Sequence, residues 1–173
     1  MIIGSGYPGK GGAVFLYRSK DLMRWDYIGP LLEWDNLEFG EMWECPNLFH
    51  LGNHHLLLLS VMGQDRVVYF IGDLFEDRFL PQHYGTLDAG GYYYAVQGFF
   101  DNTGRLIVFG WVKEARSKRA QIAAGWAGVQ ALPRQLSLST EGILEIEPVK
   151  EIEALRTEPY DGGSLLVKLE EDI

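Results

Sequence analysis

Trp43-Glu44-Cys45-Pro46-Asn47-Leu48-Phe49, followed by Leu56-Leu57-Leu58-Leu59-Ser60-Val61, is one half of a repeat. The other half is Tyr93-Tyr94-Ala95-Val96-Gln97-Gly98-Phe99, followed by Leu106-Ile107-Val108-Phe109-Gly110-Trp111. At a shift of 50 residues Glu44 lies over Tyr94, Phe49 over Phe99 and Leu56 over Leu106. A looser echo sets Phe15-Leu16-Tyr17 and Asp21-Leu22 over Val67-Val68-Tyr69 and Asp73-Leu74, at a shift of 52. In each unit an entry strand leads through a turn to an apolar strand. Periods of about 40–50 residues in a chain of short strands are those of four-stranded propeller blades. A β-sandwich is the alternative architecture.

Outward from that repeat the texture stays β. Candidate strands cover Ala13–Tyr17, Asn47–Leu51, Leu56–Val61, Arg66–Ile71, Tyr92–Phe100, Leu106–Val112, Ala124–Val129 and Gln135–Ser139. Turn signals such as Gly52-Asn53, Asp101-Asn102-Thr103-Gly104 and Thr140-Glu141-Gly142 separate them. No long amphipathic helix is predicted. After Pro148 the pattern changes: Val149–Arg156 reads as a short helix or linker, Pro159–Gly163 as loop and Ser164–Leu169 as a strand.

The 173 residues suffice for a real core. Aromatic residues make up 13% of the chain, suiting both β-structure and stacking against sugar rings. A net charge of −9 and the lack of a basic run with interleaved aromatics argue against nucleic acid and anionic membranes as partners. The longest apolar run, Leu56–Val61, is far too short to span a bilayer. A single cysteine excludes an internal disulfide and a thiolate zinc cluster. The four histidines fall at a turn or in isolation, so no metal and no cofactor is expected. No signal peptide is visible, and a cytoplasmic location is the expectation.

Glu44 is the candidate for chemistry. A carboxylate between aromatics, a thiol and a proline is expected to lose solvation, which favours its protonated form. A general acid needs that form near neutral pH. The plain alternative is a strand glutamate that faces solvent.

Taken together, the motifs resemble the β-fructofuranosidases of glycoside hydrolase family 32. Trp43–Phe49 resembles that family's acid/base motif, and Ser19–Trp25 the segment before it. Asp88–Gln97 is similar to its aspartate-glycine-tyrosine-alanine-proline-glutamine stretch, with Val96 in the place of proline. Gly110-Trp111 and Gly125–Arg134 follow in the family's order, with Gln135 replacing a frequent glutamate. The resemblance implies an all-β chain: an incomplete five-bladed β-propeller of about three blades, followed by the start of a β-sandwich. The division expected is residues 1–148 as partial catalytic propeller, 149–163 as linker and 164–173 as the first sandwich strand.

It also implies a retaining mechanism. One carboxylate attacks the anomeric carbon while an acid about 5–5.5 Å away protonates the leaving oxygen. Glu44 matches that acid/base in position. Cys45 matches a thiol lining the fructose site, or is simply a small buried residue. Asp88 matches an acid that binds sugar hydroxyls, or caps the turn before Gly90-Gly91. Trp111 matches an aromatic wall of the funnel, or is core. Trp126 and Arg134 are expected to hold the last strands together, with Gly125 and Gly128 allowing close packing. Lys113, Arg116, Lys118 and Arg119 are candidates for a phosphate contact, or form a solvated loop.

Two family motifs do not occur in these 173 residues: the tryptophan-methionine-asparagine-aspartate-proline motif of the nucleophile and the arginine-aspartate-proline motif. The dipeptide Asp-Pro is absent altogether. The expected partner is a carbohydrate, and three outcomes are open for the incomplete ring: a complementary N-terminal polypeptide closes it, identical chains pair, or the chain is a piece of a longer enzyme. A non-catalytic carbohydrate-binding or assembly module is the alternative function. A five-bladed arabinosidase or xylosidase fits the Trp-Glu-Cys-Pro run less well.

Overall fold

A computed structural model describes residues 1–156. Its strands are β1 (Ile2–Tyr7), β2 (Gly11–Arg18), β3 (Asp26–Glu33), β4 (Trp43–Leu51), β5 (His54–Val61), β6 (Arg66–Phe75), β7 (Arg78–Thr86), β8 (Tyr93–Phe100), β9 (Leu106–Val112), β10 (Val129–Gln130), β11 (Arg134–Leu138) and β12 (Leu144–Pro148). One helix, α1 (Lys118–Ala124), and a 3-10 turn at Lys150–Leu155 complete the described elements. The expected sandwich strand at 164–173 and residues 157–163 of the expected linker lie outside the described residues.

Three antiparallel sheets result: β1-β2-β3, β4-β5-β6-β7, and one in which β8, β9, β11 and β12 follow in order. The short β10 pairs with Trp111 and Val112 of β9, whose other edge is already held by β8 there. It therefore continues the line of β11, joined through the Ala131 N–H to the Gly110 carbonyl. The second and third sheets are thus complete four-stranded blades of the expected kind.

β5 shows why the blades stack. Leu57 and Leu59 face one way, into a core with Trp43, Phe70, Val14, Leu31 and Leu32 between the first two sheets. Leu56 and Leu58 face the other way, into a core with Val67, Leu106, Val108, Tyr93 and Leu136 between the last two. An uninterrupted leucine run is the signature of a strand buried on both faces. The Trp43 indole is fully buried, donates from Nε1 to the Phe39 carbonyl at 2.7 Å and lies on Gly12, where any Cβ would meet it at 2.2 Å.

Neighbouring sheets differ in one respect. β4 and β8 lie side by side and run parallel: Glu44 meets Tyr94, Asn47 meets Val96, and Phe49 meets Gly98. Between β1 and β4 the order reverses, with Gly4 against Trp43 and Gly6 against Glu41. β3 sits beside β7, the outer strand of the next blade. Direction and neighbours make β1, β2 and β3 equivalent to the last three strands of a blade. Among the described residues, β1 has no strand on its other edge.

One expected strand is not formed. Residues 118–124 are helical and Gly125 caps the helix in the left-handed region (φ 76°), so Ala124–Val129 is not a strand and only Val129–Gln130 pairs. The alanines of Ala120-Gln121-Ile122-Ala123-Ala124 favour helix. Ser117 accepts from the Ala120 N–H at 3.2 Å as an N-cap.

Candidate functional site

Glu44 and Tyr94 precede matching irregularities. β4 slips register between Glu44 and Asn47, and β8 does so between Tyr94 and Gln97. Within each bulge one residue takes a positive φ, Cys45 at 49° and Ala95 at 50°. Non-glycine residues in that region are held there by their surroundings at a cost of about 1–3 kcal/mol. Here the surroundings are identifiable. The Asn47 amide donates to both the Cys45 and the Val96 carbonyls at 2.9 Å, tying the two bulges together. The buried Ser60 hydroxyl accepts from the Ala95 N–H at 3.0 Å, satisfying a donor that the bulge removes from the ladder.

The bulges turn the two side chains towards each other, and the Tyr94 hydroxyl donates to Glu44 Oε2 at 2.5 Å. Glu44 is half-buried and Tyr94 buried. The acid is therefore not isolated among apolar groups, as its sequence neighbours suggest, but engaged by a phenol. Burial first, and then the bond to Glu44, hold the Tyr94 phenol far above the ordinary tyrosine range. Burial, followed by the neighbouring Glu44 charge, pushes the Cys45 thiol up as well, so it stays neutral at ordinary pH.

Behind the phenol lies a cation. Lys113 Nζ sits 5.1 Å from the Tyr94 ring centre and 5.8 Å from that of Trp111, and pairs with Asp65 Oδ1 at 2.5 Å. Trp111 stands opposite Tyr94 in the β8–β9 register and is 45% exposed. With Ala95, Gln97, Phe109, Gly110 and Gln130 it lines an open groove of about 270 Å³. Glu44, Cys45, Tyr94, Trp111 and Lys113 thus form one group across β4, β8, β9 and the residue that follows β9.

Asp88 belongs to another group, in the loop between β7 and β8. Its Oδ2 accepts from Arg134 Nη2 at 2.6 Å and its Oδ1 from the Gly90 N–H at 2.8 Å. The Arg134 guanidinium also covers the Tyr93 ring at 4.2 Å. Arg134 thus joins β11 to the entry of β8, the holding role its position suggests. In the basic cluster, Arg116 is taken by Glu114 through Nε at 2.9 Å and Nη2 at 2.6 Å, and lies 3.8 Å from the Trp126 ring centre. Lys118 and Arg119 are exposed on α1. Among the described residues no group of three or more His, Cys, Asp or Glu side chains could hold a metal ion.

Four-stranded blades packed face to face, with a carboxylate on the strand next to the neighbouring blade, define a segment of a β-propeller. The domain model described as the glycosyl hydrolases family 32 N-terminal domain matches residues 1–148. The chain belongs to glycosyl hydrolase family 32. A sucrose-6-phosphate hydrolase of Escherichia coli is 35% identical over 168 residues, which cover 90% of this chain and 35% of that protein. A family 32 β-fructofuranosidase of Bombyx mori superposes with a TM-score of 0.77 at 32% identity, over 91% of this chain and 36% of its own. Fructan 1-exohydrolase IIa of Cichorium intybus, in complex with 1-kestose, gives 0.79 at 28% identity, over 91% and 33%. These structural neighbours are β-propeller enzymes, and the chain spans about a third of the length of each relative.

Proposed function

We propose that this polypeptide supplies the acid/base half of a retaining β-fructoside hydrolase. Glu44 is the residue that protonates the leaving glycosidic oxygen and then, ionised, activates water. Cys45 and the Trp111 face contribute to the sugar site; Asp88 is carried into it by its motif alone, since its carboxylate is engaged by Arg134 and the Gly90 N–H. The observation that carries this reading is the placement of Glu44. It lies half-buried on a strand adjoining the next blade and accepts a hydrogen bond from Tyr94, whose cross-strand neighbour Trp111 lines an open groove. Its seven-residue motif matches the family's acid/base run.

The same sequence limits the claim. No Asp-Pro occurs in the 173 residues, so neither family motif built on that dipeptide is present. Removing one member of a cooperating catalytic set forfeits most of the rate. The chain alone is therefore expected to release no fructose from sucrose, sucrose 6-phosphate or 1-kestose. Fructose release by the pure chain, abolished in Glu44→Gln, would overturn this limit. The absent dipeptide also favours a second reading, a carbohydrate-binding or assembly module without turnover. Calorimetry with Glu44 intact, read beside turnover, separates the two: the module binds 1-kestose and releases no fructose even when a polypeptide carrying both Asp-Pro motifs is added, whereas the acid/base reading predicts release that Glu44→Gln abolishes.

A further inference from the structure

The Glu44–Tyr94 contact has a chemical consequence beyond the assignment of Glu44 itself. We propose that Tyr94 is a positioning residue that fixes the Glu44 carboxyl group and confines its transferable proton to Oε1. The inference rests on the reading of Glu44 as the acid/base.

The argument begins with donors and acceptors. A phenolic hydroxyl has one hydrogen, and here it is spent on Oε2 at 2.5 Å. A carboxyl oxygen that accepts such a bond is a poor place for the carboxyl's own proton, because two O–H hydrogens would then compete for one O···O line. Oε1 carries no hydrogen bond to the described residues. When Glu44 takes up a proton it goes to Oε1, and from there it can be passed to an oxygen outside the protein. When Glu44 is ionised, the phenol still holds Oε2 and leaves Oε1 to receive a proton from water. The same geometry thus serves both directions of proton movement.

Three features keep the phenol in this role. First, it stays a neutral donor, because burial and the bond to Glu44 hold it well above the ordinary tyrosine range. Second, its ring is fixed from behind by Lys113 at 5.1 Å, itself anchored on Asp65. Third, both backbones are locked: the two bulges carry near-equal positive φ angles and share the Asn47 amide. Glu44, Cys45, Asp65 and Lys113 are the titratable groups acting on the phenol. Cys45 stays neutral, and Asp65 and Lys113 form a pair at 2.5 Å. Glu44 and Asp65 are thus the two carboxyl groups whose charge acts on the phenol, and Glu44→Gln tells them apart.

The test is carbon NMR on the whole chain labelled at tyrosine Cζ, with the Tyr94 signal identified by its loss in Tyr94→Phe. The expected result is a Tyr94 signal that moves with pH and loses most of that movement in Glu44→Gln. Glu44 side-chain couplings should report one rotamer in the native chain and averaging in Tyr94→Phe, whose amide spectrum otherwise stays folded. A Tyr94 signal blind to Glu44→Gln would overturn the proposal, as would a Glu44 rotamer unchanged by Tyr94→Phe. Neither measurement needs turnover, so a failed acid/base assignment, read as Glu44-independent hydrolysis, stays distinguishable from a failed positioning role.

Discussion

Asn47 and Ser60 carry more of the site than their chemistry suggests, because each satisfies backbone groups that the paired bulges leave outside the ladder. In Ser60→Ala the half-buried Ala95 N–H loses its partner, and the cost is expected at the lower end of the about 1–3 kcal/mol of an orphaned buried donor. Asn47→Ala removes two bonds at once and should cost a similar amount. Urea unfolding of both variants measures this, and losses below about 0.5 kcal/mol would contradict the bridging role. Glu114 gives a pH prediction. Its bonds to Arg116 hold its carboxyl down to about 2. A depressed acid contributes stability that is complete above its unfolded value of about 4.3 and is lost as pH falls through the folded one. The difference in emission between the native chain and Trp126→Phe, which reports the stacked indole, should therefore hold to about pH 4 and change only towards pH 2. A change centred above pH 4 would contradict the pairing.

At the scale of elements, the strands were legible wherever side chains alternate between two cores or fill both, as in β5, β6 and β9. α1 was not legible, because it buries no residue and so has no apolar stripe to reveal it. Its only signals are the alanines, Ser117 and Gly125. Ser117→Ala should therefore cost about 1 kcal/mol of local helix stability with little effect on global unfolding. Amide exchange across residues 118–124 checks this, and equal protection in both proteins would refute the cap. The site was half legible. Glu44 announces itself through its motif, and the 50-residue shift sets Tyr94 over it. The bond between them could not be read, because it joins strands of two different blades. Asp88 likewise carries no sequence sign of its bond to Arg134, 46 residues away.

Among the described residues β1 has an unpaired edge, where Ile3 is 40% exposed, and apolar rings such as Phe99 and Phe109 lie on the last sheet. Unpaired strand edges beside apolar surface invite association. Sedimentation of the chain should show concentration-dependent self-association that Ile3→Lys reduces; a monomer unaffected by concentration would contradict this. Such surfaces also suit a complementary polypeptide, and that possibility supplies the sharpest test of Glu44 as half of a catalytic pair. The chain would be mixed with a polypeptide from a family 32 relative that carries both Asp-Pro motifs, and fructose release from sucrose followed. The account predicts no release by either polypeptide alone, release on mixing, and its loss in Glu44→Gln. Release by this chain alone, or mixed release that survives Glu44→Gln, would contradict it.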